Sequence, residues 1–377
     1  MNHILNQISY SNCTGCFLCH DVCNKNAIKI CLDKDGFYKP VVDEKVCIDC
    51  GLCTKKCPAI NDKRNSENST PLAYAAYNAN TDELKESSSG GIAYILGRHI
   101  IENGGVVYGV RWDNGSVIFG KADTFESLEH FKGSKYLQPN ASGVYNDVKN
   151  SIKSGKLVLF IGLPCHIRAI KNYISSENLI TIDLLCAGVP SNLLWSKYCS
   201  WKFGAKNITT ANFRSKDIGW RSSIIKIYSE DKELLSEVNH KNRFFLGFNS
   251  AIFFNNACYN CKFNTIPRLG DISLGDYWGA PKSLDNKDGI SLVLVNTQSG
   301  LILMKALESL KVIIKQIDLA DAILGNYRIN NDHREIPKDR QDAFQLLRDS
   351  KFKICSDKYF KPTTLIQKMK TKLKKYL

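Results

Sequence analysis

Eight cysteines within the first sixty residues fall into two groups of identical spacing. The first is CTGCFLCHDVC, with Cys13, Cys16, Cys19 and Cys23; the second is CIDCGLCTKKCP, with Cys47, Cys50, Cys53 and Cys57 ahead of Pro58. Each reads C-x2-C-x2-C-x3-C, and the copies are offset by 34 residues. Three thiolates on one tight turn suit three irons of a cubane, while the fourth cysteine, expected to open a short helix, reaches across to the other cluster. Cys13, Cys16, Cys19 and Cys57 thus form one expected 4Fe-4S ligand set, and Cys47, Cys50, Cys53 and Cys23 the second. Zinc sites pair cysteines two by two, which two full quartets do not resemble. Asn24, not proline, follows the first quartet. Cys31 lies outside both and is expected to be a small core residue.

Four further cysteines come from three later segments. VLFIGLPCHIRAI, residues 158–170, is an apolar strand, a Gly-Leu-Pro corner and a helix start, with Cys165 and His166 at the corner. LITIDLLCAGVPSNLLWSKYC, residues 179–199, repeats that logic with Cys186 at the strand end. CYNCKF adds Cys258 and Cys261 at ligand spacing and leads into GDISLGDYWG, residues 270–279. In a sheet wound from such units, ligands sit in the crevice at the strand carboxyl ends. Four cysteines facing one crevice are enough for a third cubane; taken singly, each also reads as a small buried hydrophobe. Adjacent residues such as Cys165 and His166 rarely point at one another, which disfavours a nucleophile with its base. Cys199 and Cys355 have no partner at ligand spacing and are expected to be structural.

The elements that must position these groups divide the chain into residues 1–60, an α+β ferredoxin-like cluster domain; 61–72, a polar linker; 73–330, a mixed α/β domain; and 331–377, a basic helical tail. Strands are expected at Tyr74–Tyr77, Val106–Val110, Leu157–Ile161, Ile180–Leu185, Ser223–Tyr228, Asp271–Leu274 and Ser291–Val295. In SSSGGIAYILGRHIIENGG, apolar residues at helical spacing begin just after Gly91. Ser87, Ser88 and Ser89 offer an N-cap, and Gly90 and Gly91 leave backbone amides bare. That is either a plain cap or a phosphate site. No G-x-G-x-x-G follows a strand, so a Rossmann nucleotide site is not indicated.

The order of SSSGGIAYIL, FKGSKYLQPN, LFIGLPCHIRAI, LLCAGVPS, NFRSKDIGW and CYNCKFN with GDISLGDYWG resembles the coenzyme F420 hydrogenase/dehydrogenase beta-subunit family, from about residue 73 to about 330. The fused N-terminal quartets resemble a bacterial two-cluster ferredoxin, and the whole looks like the subset of that family in which cluster and flavin domains share a chain, similar to plant and cyanobacterial chlorophyll reductases. The resemblance implies FAD, so that residues 73–330 form a flavin-binding domain, and a 4Fe-4S cluster held by Cys165, Cys186, Cys258 and Cys261. It implies Ser87 to Gly91, Lys132 and Lys135 as contacts for the flavin phosphates, with Gly162, Pro164 and His166 close to the cofactor. Two positions depart from the family pattern: His166 stands where glutamine commonly follows the Pro-Cys pair, and Ala187 where histidine follows the later cysteine. F420 is therefore not assumed as the carrier.

The expected activity is an oxidoreductase passing electrons between a two-electron carrier or small organic substrate and the clusters through FAD. Redox partners of the expected kind are ferredoxin, a nicotinamide, F420 or a partner enzyme. The alternative is a non-catalytic electron-transfer subunit serving a separate enzyme, for instance in polysaccharide biosynthesis. Phe213, Arg214, Lys216 and Trp220 of NFRSKDIGW read either as a holder of an anionic planar ring or as a surface hairpin with a Trp anchor.

At 377 residues, 44% apolar and with 15 cysteines, the chain exceeds one hydrophobic core and favours metal or redox chemistry over a disulfide framework. No secretory signal precedes the cysteines and no apolar run approaches a membrane span, so a cytoplasmic protein is expected. The formal charge is +14, but the final 27 residues hold nine lysines against one aspartate and carry more than half of it. A nucleic-acid partner is therefore not expected. TTLIQKMKTKLKKYL puts Leu365, Ile366, Met369, Leu373, Tyr376 and Leu377 on one stripe. It is either a helix docked on its own domain or a peripheral contact with the inner membrane face.

Overall fold

The structure is a computed structural model that describes residues 3–62, 70–326, 329 and 334–360. In the cysteine-rich region, α1 (Ile4–Gln7) and α2 (Leu18–Asp21) precede an antiparallel hairpin of β1 (Ile28–Leu32) and β2 (Tyr38–Val42), and α3 (Leu52–Lys56) follows. The sequence repeat is a structural repeat: Phe17 (φ 71°) and Gly51 (φ 67°), both left-handed, start α2 and α3. These short helices carry the third cysteine of each quartet and end before the fourth. The expectation that the fourth cysteine opens a helix is corrected, because the left-handed residue already turns the chain at the second. Cys31 is also corrected, since it lies exposed. On β1 it shares the outward face of Lys29, as period-two alternation requires.

The main sheet is built in chain order from β3 (Leu72–Asn78), α4 (Thr81–Glu86), α5 (Ile92–Glu102), β4 (Val106–Asp113), β5 (Ser116–Ala122), α6 (Phe125–Glu129), α7 (Val144–Lys153), β6 (Val158–Gly162), α8 (Pro164–Tyr173), β7 (Leu179–Leu184) and α9 (Asn192–Phe203). A small antiparallel sheet of β8 (Thr210–Ser215), β9 (Ile224–Ser229) and β10 (Lys232–Val238) interrupts it, followed by α10 (Arg243–Asn249). The chain then returns with β11 (Ile272–Asp276), β12 (Ser291–Val295), α11 (Gln298–Glu308), β13 (Val312–Ile317), α12 (Leu319–Gly325), α13 (Arg340–Arg348) and α14 (Phe352–Tyr359). Strand order is β13-β3-β12-β11-β7-β6-β4-β5, with β4, β6, β7 and β11 mutually parallel and the other pairings antiparallel. All seven strands expected from sequence are present. Central strands such as VLFIG are apolar throughout because both faces are covered. Val158 and Phe160 join the cluster with α7, α8 and the cysteine-rich region; Leu159, between them, joins the cluster with α5 and α11 on the other face.

Where the tail was expected to begin, α13 and α14 instead bury Phe344, Leu347, Phe352 and Cys355 in an aromatic cluster with Trp195, Tyr198, Phe213 and Phe244. Residues 361–377, including the lysine-rich stripe, lie outside the described residues. Asn61 and Asp62, assigned to the linker, are tied down: Asn61 donates to the Thr54 and Lys55 carbonyls, and Asp62 pairs with Arg168 at 3.0 Å. Among the described residues no helix is long and apolar enough to cross a membrane.

The cysteine-rich region docks on the sheet through buried polar contacts. The Asp21 carboxylate accepts from the amides of Gly143 (2.8 Å), Tyr145 (2.9 Å) and Asn146 (3.4 Å), so it caps α7 from another part of the chain. Tyr145 donates from its hydroxyl to the Cys16 carbonyl at 2.7 Å. The Gln138 side chain accepts from Tyr38 N at 2.9 Å and donates to the Thr14 carbonyl at 3.2 Å. Gly15 (φ 68°) makes that approach feasible, because a Cβ there would lie 2.2 Å from Gln138 Nε2. Asp21→Asn removes the charge and one acceptor from this cap. It is expected to cost about 2 kcal/mol, read as a lower denaturant midpoint under anaerobic conditions.

Candidate iron-sulfur and cofactor site

Cys13, Cys16, Cys19 and Cys57 line one cavity, walled by Ile4, Ile8, Ile30, Pro40 and Pro58. This is the set expected from the crossing rule. Burial raises the Cys16 thiol to about 12 and the Cys57 thiol to about 11; Cys57 and Cys13 raise the first further, and Cys13 and Cys53 the second. Cys19 is pushed well above the usual thiol range, first by burial and then by Cys16, Cys13, Cys57 and Cys53. Among the described residues no three His, Cys, Asp or Glu side chains converge as around a single metal ion. The four thiols surround a space, which fits a multi-iron cube and its acid-labile sulfides. Of the second expected ligand set, Cys53 is buried, Cys23 and Cys47 are half-buried and Cys50 is exposed. Cys50 lines an open recess with Gln7, Gly51, Thr54 and Lys55, and exposed Val46 and Ile48 flank Cys47.

The four later cysteines come together. The Cys165 thiol is raised well above its usual range by burial, then by Cys186, Cys261, Cys16 and Cys258 in that order. That pattern is the opposite of an activated nucleophile, which requires a lowered thiol. Three features of the chain bring these residues to one place. Parallel β6 and β7 are neighbours, so Cys165 and Cys186 follow adjacent carboxyl ends. The 185–191 segment pairs with the returning loop through Ser191 N to Phe253 O and Asn255 N to Val189 O, both 2.9 Å, and Val189 N donates to Cys258 Sγ at 3.4 Å. The Phe254 ring occupies the space a side chain would need at Gly188 (φ 133°), 2.4 Å from an added Cβ. Finally, Arg268 forms a fully buried ion pair with Asp183 at the end of β7 and donates to Asn264 at 3.0 Å, while Asn264 reaches the Cys186 carbonyl at 3.5 Å. This clasp draws the loop carrying Cys261 back over the strand ends. Cys199 and Cys355 stand apart; Cys355 is buried and donates to the Ala343 carbonyl at 3.5 Å.

His166 is buried at the third position of α8, edge-on to Phe119 at 5.0 Å, and its Nδ1 has no hydrogen-bond partner among the described residues. Burial lowers the imidazole to about 4, so it is neutral at physiological pH. Gly162 ends β6 and Pro164 starts α8.

The Ser-Gly loop differs in detail from expectation. α5 does begin at Ile92, but its cap is Gly91 (φ 79°) with no side-chain capping bond. Ser87 donates instead to the Glu83 carbonyl, and Ser89 to that of Ile290. Gly90 donates its amide to Ser291 Oγ at 2.9 Å, and a Cβ there would lie 2.3 Å from Ala76 O, so close packing of strands requires it. Ser88 accepts from Ser134 N at 2.7 Å, which joins this loop to FKGSKY. Lys132 is already neutralised by Glu86 (2.7 Å) and Glu129 (2.6 Å). Lys135 donates to the carbonyls of His130 (3.0 Å) and Lys132 (2.8 Å), and burial lowers its ammonium to about 7.

Phe213 and Trp220 are buried, and Arg214 pairs with Asp276 at 2.9 Å. Lys216 reaches three carbonyls, those of Leu84, Ser89 and Asp288, and is lowered to about 7, first by burial and then by Arg214. Trp278, which the sequence motifs do not single out, is the exposed member of this group, stacked 4.9 Å from Trp220 with Arg214 5.5 Å from its ring. Its only sequence signal is its place after the GDY corner at the end of β11.

Two cysteine quartets docked on a mixed sheet whose strand ends gather four more thiols define an iron-sulfur electron-transfer protein of the oxidoreductase class. Residues 12–60 match the family model described as 4Fe-4S dicluster domain, and residues 155–320 match the model for the C terminus of the coenzyme F420 hydrogenase/dehydrogenase beta subunit. The second stretch, which is similar to that family, holds Cys165, Cys186, Cys258 and Cys261. The Ser-Gly loop and FKGSKY lie before the matched residues. No protein of curated function matches. Among solved structures, a chain of the xenon-derivatised F420-reducing NiFe hydrogenase complex from Methanosarcina barkeri is similar, with TM-score 0.47 and 16% identity, covering 79% of this chain and 93% of that one.

Cys165→Ser is expected to lose about four irons per chain, and Cys57→Ser about four others, as iron and sulfide assays with EPR will show. Full iron retention in Cys165→Ser would overturn its assignment as a ligand. Arg268→Met leaves Asp183 buried without its counter-charge, and is expected to cost about 3–5 kcal/mol of unfolding free energy.

Proposed function

We propose that the protein is an iron-sulfur flavoprotein oxidoreductase that exchanges electrons between one-electron carriers at its cysteine-rich surface and a two-electron carrier or small organic substrate at the strand ends. The observation that carries this reading is the neighbourhood of Cys165, which lies within electrostatic reach both of Cys186, Cys258 and Cys261 and of Cys16 of the first quartet. Three thiol sets then run from the exposed surface at Cys50, through Cys53 and Cys19, to Cys16 and Cys165, ending beside His166. Exposed Val46 and Ile48 beside Cys47 supply an apolar contact for a redox partner at the outer end.

FAD, if held here, accepts hydride and releases electrons singly. Its phosphates suit Lys135, whose ammonium is met by two carbonyls, beside Ser88 and the amides at the start of α5, with Lys216, bound to three carbonyls, adding its charge next to Ser89. His166 presents an unpartnered Nδ1 in the same strand-end region as Cys165, which suits a hydrogen bond to a flavin ring or substrate. Lys132 is a weaker candidate, being paired twice.

Anaerobic purification with iron, sulfide and flavin quantitation tests the whole reading. About twelve irons and one FAD per chain are expected; about eight irons would remove the third cluster. Bleaching by NADH, NADPH, reduced F420 or reduced ferredoxin then identifies the donor. Turnover of a small molecule by the isolated chain supports an enzyme, and inactivity until a partner is added supports the electron-transfer subunit.

Lys135→Met is expected to weaken FAD retention about tenfold, read by equilibrium dialysis. The sign of the pH dependence follows from the lysines. With both ammonium groups lowered to about 7, the charged form that attracts phosphate is complete below that value and lost above it. FAD affinity is therefore expected to fall as pH rises from about 6 to about 9.

A further inference from the structure

Lys39 points from β2 into the seam between the first quartet and the later thiol set. It is 5% exposed, and its ammonium donates to the Cys13 carbonyl at 2.8 Å and to Asn255 Oδ1 at 3.5 Å. Asn255 is itself 1% exposed. Its Oδ1 also accepts from Ala257 N at 3.2 Å, capping the turn that holds Cys258, and its Nδ2 donates to the Thr14 carbonyl at 3.4 Å. The charged or titratable groups that face Lys39 are Cys13, Asp33, Cys258 and Arg340. One thiol of each set therefore lies within electrostatic reach of a single buried cation. The docking of the cysteine-rich region on the sheet does not require this. Gln138 already bridges Tyr38 and Thr14, and a neutral side chain would fill the strand position without the cost of burying a charge.

We infer that Lys39 is a positioning residue for redox potential: its ammonium raises, together, the reduction potentials of the first-quartet cluster and of the cluster held by Cys165, Cys186, Cys258 and Cys261. Reduction adds one electron, and so one negative charge, to a cluster. A fixed cation in a low-dielectric seam stabilises that form over the oxidised one, and net charge and hydrogen bonding are among the levers that set cluster potentials. Because the cation is shared, both neighbours move in the same direction and the step between them stays small. Cys47, Cys50 and Cys53 are not among the groups that face it, so the outer cluster keeps its own value.

The inference rests on reading Cys258 as a cluster ligand, and the experiment separates the two. The full-length chain is purified anaerobically as wild type, Lys39→Met, Lys39→Arg and Asn255→Asp. Iron is counted, and each cluster is followed by EPR-monitored redox titration. Lys39→Met with its iron intact is expected to lower the midpoints of two of the three clusters, with the third unmoved. Lys39→Arg restores both. Asn255→Asp keeps an oxygen to cap the Cys258 turn but places a negative charge against the ammonium, so it lowers the same two midpoints even if Lys39→Met fails to load. Unchanged midpoints in Lys39→Met or Asn255→Asp at full iron, or an equal shift of all three, would overturn the inference. About eight irons in the wild type would instead overturn the third cluster, and with it the shared role.

Discussion

Burial of thiols that repel one another is the constraint around which this molecule is organised. Cys16, Cys19, Cys57 and Cys165 are each held above the ordinary thiol range, first by loss of water and then by neighbouring sulfurs. Without metal such a group stays protonated. With iron the thiolates form and their protons leave, so the free energy of cluster binding becomes part of the stability of the region. The short helices α1, α2 and α3 are too brief to be stable alone and depend on the packing around them, which for α2 and α3 includes the thiols of Cys19 and Cys53.

That dependence explains the polar character of the seam. An apolar interface would bury the same area but would not fix one part against the other to the accuracy that electron transfer between neighbouring clusters needs. Asp21 capping α7, Tyr145 on the Cys16 carbonyl, Gln138 bridging Tyr38 and Thr14, and Asn192 N on the Gly36 carbonyl at 3.1 Å are directional and satisfied on both sides. The aromatic cluster extends the contact, with Phe37 of the cysteine-rich region 6.1 Å from Phe344 of α13. Residues 340–360 are thus part of the support for the redox region.

On the sheet, parallel pairing of β6 and β7 puts two cysteine corners side by side, and the buried Asp183–Arg268 pair pulls the third corner onto them. Such a pair is a poor source of stability, since desolvation offsets most of the attraction. Its value is geometric: it joins the end of β7 to the loop that must carry Cys258 and Cys261. The cations Lys135, Arg214 and Lys216 gather around the Ser88 loop at the same end of the sheet.

Much of this was legible in the chain. Two quartets at one spacing point to 4Fe-4S ligation, in keeping with the dicluster match, and the crossing rule names the four cysteines, Cys13, Cys16, Cys19 and Cys57, that line one cavity, because thiolate geometry around a cubane is local. Apolar runs ending in Gly, Pro and Cys marked the strands and corners for the same reason: burial on both faces leaves only apolar residues in the run. Long-range packing was not legible. Cys31 read as core and lies on the outer face of an edge hairpin, since a single residue does not reveal which face of a strand is covered. Ser89 read as a cap, yet the tight approach of Gly90 to Ala76 and Ser291 gives the position to Gly91. Phe213 and Trp220 read equally as ligand holders and as anchors, and the aromatic packing around them makes them anchors. The sequence by itself determined the chemistry of the thiols. Only the tertiary structure decided that Cys16 faces Cys165 and that Lys39 lies between Cys13 and Cys258, because residues so far apart in the chain meet through packing and burial, which no local spacing encodes.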